Sequence, residues 1–214
     1  MPMTLQERTT PQAPWAKQRI LDTANDLFYN DGIRIVGVDR LISVSSVTKA
    51  TFYKHYVSKD RLIVTYITGR HLAVQEHVDR IIATSTSPEN ALRELVASLS
   101  ATILAPGFRG CAFTNATAEF ADPLHPVRML VTEHREWKNQ ILTTLFTAMG
   151  NEHPAEAADG FIVAIDGANV GGYSGDPVAA TTALHRLTET IIAGSLRWDG
   201  FHSGSRLVSA SLLN

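Results

Sequence analysis

One stretch leaves this chain less freedom than any other: residues 38–59, VDRLISVSSVTKATFYKHYVSK. Val38, Leu41 and Ile42 recur at the spacing of one apolar helix face, which predicts a short amphipathic helix. Val44-Ser45-Ser46 interrupts that face with small polar residues. Thr48 is placed to cap a second helix, because its hydroxyl accepts one of the unpaired N–H groups of a first turn. In that helix Phe52 points to the core, while Lys49, Thr51, Tyr53 and Lys54 stay on or near the outer faces. Ser58 then opens a third helix. Two short helices about a tight turn read as a helix-turn-helix. The groups left outside suit phosphate oxygens and base edges in a major groove.

The run K-A-T-F-Y-K-H-Y-x-S-K-D, Lys49 to Asp60, resembles the recognition-helix signature of the tetracycline-repressor (TetR) family, roughly V-S-K-G-T-L-Y-x-H-F-x-S-K-E. Val47, Lys49, Thr51, Tyr53, His55, Ser58 and Lys59 match it directly. Thr48, Phe52, Tyr56 and Asp60 are conservative replacements, and Leu27-Phe28 supplies the pair that precedes the motif. Ser46 stands where the family usually has the turn glycine, and Ala50 where glycine is common. A left-handed Ser46 costs roughly 1–2 kcal/mol, whereas Ala50 favours helix over glycine. The strong resemblance covers residues 17–65. A second run, Gly110 to Phe120 followed by H-P-V-R, is similar to the ligand domain of one branch of the family.

The resemblance implies an all-α protein with an N-terminal three-helix DNA-binding domain and a larger C-terminal domain for ligand binding and dimerisation. The expected division is a flexible arm at 1–14, the helix-turn-helix domain at 15–60, the ligand and dimer domain at 61–200, and a tail at 201–214. It implies a transcriptional regulator, foremost a repressor released from a palindromic operator by a small-molecule effector. An activator of the same fold is the alternative, followed by a DNA-binding protein without a ligand. Thr48, Lys49, Thr51, Tyr53, Lys54, His55 and Lys59 are the expected DNA contacts, with Lys49 reading bases and Lys59 meeting a phosphate.

Charge agrees with a DNA-facing end. The chain carries a formal charge of −2. Between Gly32 and Arg61 six basic residues stand against Asp39 and Asp60 alone, a local excess of positive charge on an acidic body. Cys111 is the only cysteine, so no intrachain disulfide forms and a reducing cytoplasm fits. No signal peptide or membrane-spanning apolar run is read, and no cofactor is expected.

Along the chain, helical spacing predicts Ala16–Asp31 closed by Gly32, and a long helix from Ser58 to about Thr84. Leu62, Ile63, Tyr66, Ile67, Val74 and Val78 lie on the apolar stripe of that long helix. At 1.5 Å per residue it covers roughly 40 Å, enough to enter a second domain. It is the expected route of induction. Further helices are expected from Ser87-Pro88, Ala112, His125, Pro154 and Pro177.

Gly160, Ala164, Gly167 and Gly171 form a stripe of small residues that lets another helix approach. Packing on the helix from Pro177 and pairing with a second copy both satisfy it. With Leu184, Leu187 and Ile191 it is the expected homodimer face. Phe113, Asn115, Glu119, Phe120, His134, Trp137, Ile162, Asp166, Asn169 and Tyr173 mix apolar walls with hydrogen-bonding groups, as a small-molecule cavity needs. Each aromatic among them also fits ordinary core. His71 and His77, or His125 and His134, lack the i, i+4 spacing of a helical zinc pair, so no metal is expected. Cys111, His134 and Asp166 make an imaginable nucleophile, base and orienter. No catalytic signature surrounds Cys111, and no phosphate loop or dinucleotide fingerprint is present, so an enzyme is not expected.

Overall fold

The computed structural model describes residues 13–194, and all regular structure within them is helical. The order is α1 (Ala13–Asp31), α2 (Val38–Val44), α3 (Lys49–His55), α4 (Lys59–Thr84), α5 (Pro88–Leu104), α6 (Ala112–Glu119), α7 (Pro126–Ala148), α8 (Pro154–Ser174) and α9 (Pro177–Ile192). Of the expected arm, Ala13 and Pro14 already belong to α1. The rest of the arm, and the tail, lie outside the described residues.

Local chemistry sets the helix ends. Gly32 follows α1 at φ +99°, a left-handed conformation that costs a glycine little. Ser46 closes the α2–α3 turn at φ 52°, and is the one non-glycine with positive φ among the described residues. The buried Ser45 hydroxyl donates to the Leu41 carbonyl at 2.5 Å and holds the turn from inside. Thr48 accepts from the Thr51 N–H at 3.1 Å, Ser58 from Arg61 at 3.2 Å and Ser87 from Asn90 at 3.3 Å. Asp176 accepts from both Val178 and Ala179. Each cap satisfies donors that an α-helix start leaves unpaired.

Burial organises the helices around two apolar cores. The first joins Ile20, Ala24 and Phe28 of α1, Leu41 of α2, Phe52 of α3, and Leu62, Ile63, Tyr66 and Ile67 of α4. It also takes in Phe113 and Ala116 of α6 and Val127 of α7, so the small N-terminal head shares its core with the body. The second is built from α5, α7, α8 and α9, with Leu92, Val96, Leu142, Phe146, Phe161 and Leu184 inside. Helix α4 runs between them. Val74, expected on its buried stripe, is exposed together with Leu72. Beyond His71 the helix has left the head, and α5 and α7 cover only part of its circumference.

Candidate functional site

The exposed end of the head is α3. Phe52 is completely buried and anchors the helix. Lys49 and Lys54 are exposed, Thr51 and His55 half-buried, and Tyr53, 42% exposed, lies edge-on to Phe52 with ring centroids 5.3 Å apart. The Thr48 and Thr51 hydroxyls are 2.8 Å apart, which fixes the first turn of the helix. A short helix held by one aromatic anchor and one cap thus offers two lysines and a tyrosine outward from a rigid seat.

Lys59 differs from the other expected contacts. Its ammonium donates to the Arg34 carbonyl at 3.1 Å, tying the start of α4 to the α1–α2 turn. Burial holds it below the usual lysine range. Its structural partner is therefore the head itself.

Two linkages fasten head to body, and sequence patterns did not reveal either. The Glu119 carboxylate, at the end of α6, accepts from the Ile33 N–H at 2.9 Å and the Arg34 N–H at 2.6 Å. The Arg34 guanidinium donates back to the Glu119 carbonyl at 3.2 Å. On the other side the Tyr29 hydroxyl donates to the Gly110 carbonyl at 3.0 Å and accepts from the Arg109 N–H at 2.8 Å. Both join α1 or the turn after it to α6 or the loop before it. Beside the first linkage lies a half-open cleft of about 440 Å³, lined by Ile33, Arg34, Lys59, Ile63, Phe120 and His125 among others.

The residues expected around one ligand cavity fall in five places. Glu119 belongs to the head linkage, and Phe120 stacks on His125 at 4.4 Å beside the cleft. Ile162 is 2% exposed within the second core. Asp166 is paired with Arg135 at 2.8 Å and with Lys138 at 3.5 Å. Phe113, His134 and Trp137 pack with His71: Phe113 stacks on His134 at 3.6 Å, and the two histidine Nδ1 atoms are 3.0 Å apart. Asn115, Asn169 and Tyr173 line a common cavity, a smaller one of about 80 Å³ between the start of α6 and the end of α8. Nine of the ten positions sit on α6, α7 and α8, with Phe120 just past the end of α6, and spacing along a helix does not encode the mutual rotation of the three.

His134 is buried, and its pKa is lowered to about 3, first by loss of water and then by the charges of Lys138 and His71, with Asp166 opposing. Among the described residues no third His, Cys, Asp or Glu completes a metal-holding group with the pair. His134 bonds to His71 and Asp166 to Arg135, so the imagined Cys111, His134 and Asp166 relay is not joined by hydrogen bonds.

The small-residue stripe of α8 splits in the same way. Gly160 and Gly167 have open space where a Cβ would stand, whereas at Gly171 it would meet the Ala180 Cβ of α9 at 3.3 Å. Ala164 is buried, and Leu184 and Ile191 are 1% and 3% exposed in the intrachain core, so these three are not available at the surface. Leu187 is 41% exposed and, with Val163, Val170 and Val178, leaves an apolar surface on α8 and α9. Beside the stripe, Gly172 leaves no room for a side chain, because a Cβ there would come within 2.3 Å of the Ile103 side chain.

Comparison with known proteins agrees with this architecture. Residues 20–65 match the model of the bacterial regulatory proteins of the tetR family. A TetR-family transcriptional regulator from Streptomyces coelicolor is 34% identical, over 84% of this chain and 95% of that one, with a TM-score of 0.82. A tetR regulator structure from Streptomyces avermitilis, 22% identical, covers 82% and 97% at 0.71. Another from Agrobacterium tumefaciens, 18% identical, covers 84% and 98% at 0.74. These last two show the shared fold. No curated protein matches the sequence. Among the described residues no helix is long and apolar enough to cross a membrane. With a third of its residues shared along most of both chains, the protein belongs to the TetR family of transcriptional regulators.

Proposed function

We propose that the protein is a homodimeric repressor that a small-molecule effector releases from a palindromic operator. Each α3 lies in a major groove, with Lys49 reading base edges and Thr51, Tyr53, Lys54 and His55 positioning the backbone. The paired helices stand about one DNA turn apart, roughly 34–36 Å. One observation carries the ligand-responsive part. Helix α6, only eight residues long, borders the α6–α8 cavity at its start and holds the head through Glu119 at its end. At 1.5 Å per residue that is about 12 Å of rigid rod. An effector that fits a shifted α6 better than the resting one pulls on the α1–α2 turn and re-aims α3. A coupling of about 1–3 kcal/mol is the usual scale of such a device. Helix α4 supplies a parallel route, because it too spans head and body.

Anisotropy titration of DNA from upstream of the protein's own reading frame, against a scrambled duplex, tests the repressor reading. Two protomers bind each operator, and Lys49→Ala abolishes the preference over scrambled DNA. Equal affinity for both duplexes in the unmodified protein would end the proposal. Glu119→Ala removes the acceptor of two backbone donors and loosens the turn by about 1–3 kcal/mol. It speeds exchange at the Ile33 and Arg34 amides and lessens effector-driven release more than operator binding itself. Equal loss of both would leave α4 as the sole route.

A further inference from the structure

The cleft between head and body carries charges of both signs that do not neutralise one another. Arg34, Lys59, Asp60 and Asp122 all line it, and among the described residues none of the four forms an ion pair. Lys59 uses one ammonium N–H on the Arg34 carbonyl and keeps its others. The Arg34 guanidinium likewise uses one nitrogen on the Glu119 carbonyl. On the acidic side, Asp122 Oδ1 accepts from the Leu124 N–H at 2.9 Å, which leaves its second oxygen. Arg34, Asp60 and Asp122 are exposed, so these charges stand at the mouth of the cleft. Its floor is apolar: Ile33 and Ile63 are 2% and 3% exposed. Phe120, stacked on His125, supplies an aromatic wall.

Size and charge narrow the ligand. A dry cavity of roughly 150 Å³ encloses benzene, and small-molecule sites run from roughly 300 to 1,000 Å³. At about 440 Å³ and half-open, the cleft admits a ring together with a short charged head. A plain carboxylate is attracted by Arg34 and Lys59 but repelled by Asp60 and Asp122, and a plain amine meets the opposite balance. A molecule that carries both groups on one carbon gains from all four.

We infer that the cleft binds a small apolar α-amino acid as its zwitterion. The carboxylate lies toward Arg34 and Lys59, the ammonium toward Asp60 and Asp122, and the side chain against Ile33, Ile63 and Phe120. This site is separate from the α6–α8 cavity and does not depend on how the operator is released. Its walls come from the α1–α2 turn, α4 and the segment between α6 and α7, so an occupant ties head to body.

L-Phenylalanine is the probe. Hydrocinnamate, the same molecule without the ammonium, and phenethylamine, the same without the carboxylate, are its controls. Each is titrated into the full-length protein while the backbone amides are followed by NMR. L-Phenylalanine saturates with a Kd below roughly 10 mM and slows exchange at the Ile33 and Arg34 amides. The two controls bind on the order of tenfold more weakly. Asp60→Asn combined with Asp122→Asn keeps size and shape at two exposed positions. It erases the preference over hydrocinnamate and leaves the preference over phenethylamine. Ala121→Trp, at the exposed rim, blocks the cleft without touching the core. Equal binding of the three compounds overturns the proposal, as does L-phenylalanine binding that Ala121→Trp leaves unchanged. Tighter binding of hydrocinnamate than of L-phenylalanine would make the cleft a carboxylate site and defeat the zwitterion. Exchange at Ile33 and Arg34 that saturating L-phenylalanine does not slow would remove the ligand from the cleft.

Discussion

Ser46 holds the α2–α3 turn in a left-handed conformation that a side chain resists, at φ 52°. It is exposed, so no packing is lost when the side chain is removed. Ser46→Gly therefore raises stability by about 0.5–1 kcal/mol once the entropy of a freer unfolded chain is subtracted, as urea melts will measure. The strain was legible, because a helix-turn-helix needs a tight turn there and serine occupies it. His134 was not. Its pairing with His71 joins residues 63 apart, and neither position carries a local mark of the other. The consequence is a pH dependence whose sign is fixed. The folded state holds His134 neutral down to about pH 3, while the unfolded chain takes up a proton near 6.5. Below about 6.5 the unfolded state binds more protons, so stability is full above that value and falls on acidification. Discounted for solvent near the pair, the loss by pH 5 is on the order of 1–2 kcal/mol. His134→Phe flattens that part of the stability–pH curve between pH 5 and 7; an unchanged slope would place the titration elsewhere.

At the scale of the element, α3 combines a cap, an anchor and an exposed basic face, and all three were visible in its seven residues and their neighbours. Lys54 is exposed and, among the described residues, no hydrogen bond or ion pair holds it, so the DNA contact proposed for it is electrostatic and insensitive to sequence. Lys54→Ala weakens specific and scrambled duplexes alike and lowers the slope of log K against log salt by about 1. Lys59 is the instructive contrast. The resemblance assigns it to a phosphate, but in the fold its ammonium is bonded to the Arg34 carbonyl. Lys59→Ala lowers the melting temperature of the protein and changes the salt slope less than Lys54→Ala does. The reverse ranking would restore Lys59 as the phosphate contact. Position in a motif singled out the lysines; only the neighbouring turn told which one was already engaged.

For the whole molecule, the apolar surface of Val163, Val170, Val178 and Leu187 on α8 and α9 is the face assigned to the proposed homodimer. Gly160 and Gly167 leave room beside it for a second helix. Val163→Glu places a charge in that surface, converts the dimer to monomer in sedimentation, and removes operator binding while the helical content stays. Retained dimer would move the interface to another face. The amino-acid sequence by itself determined the helices, their caps, the turn and the outward basic helix, because these depend on hydrogen bonds and periodicities within a few residues. What the tertiary structure alone decided is how the helices are rotated against one another. That rotation buried Leu184 and Ile191, sent Glu119 to the head, joined His71 to His134, and brought Asn115 and Asn169 to one small cavity. Contacts between residues dozens of positions apart are set by the packing of whole helix faces, and no spacing along the chain records them.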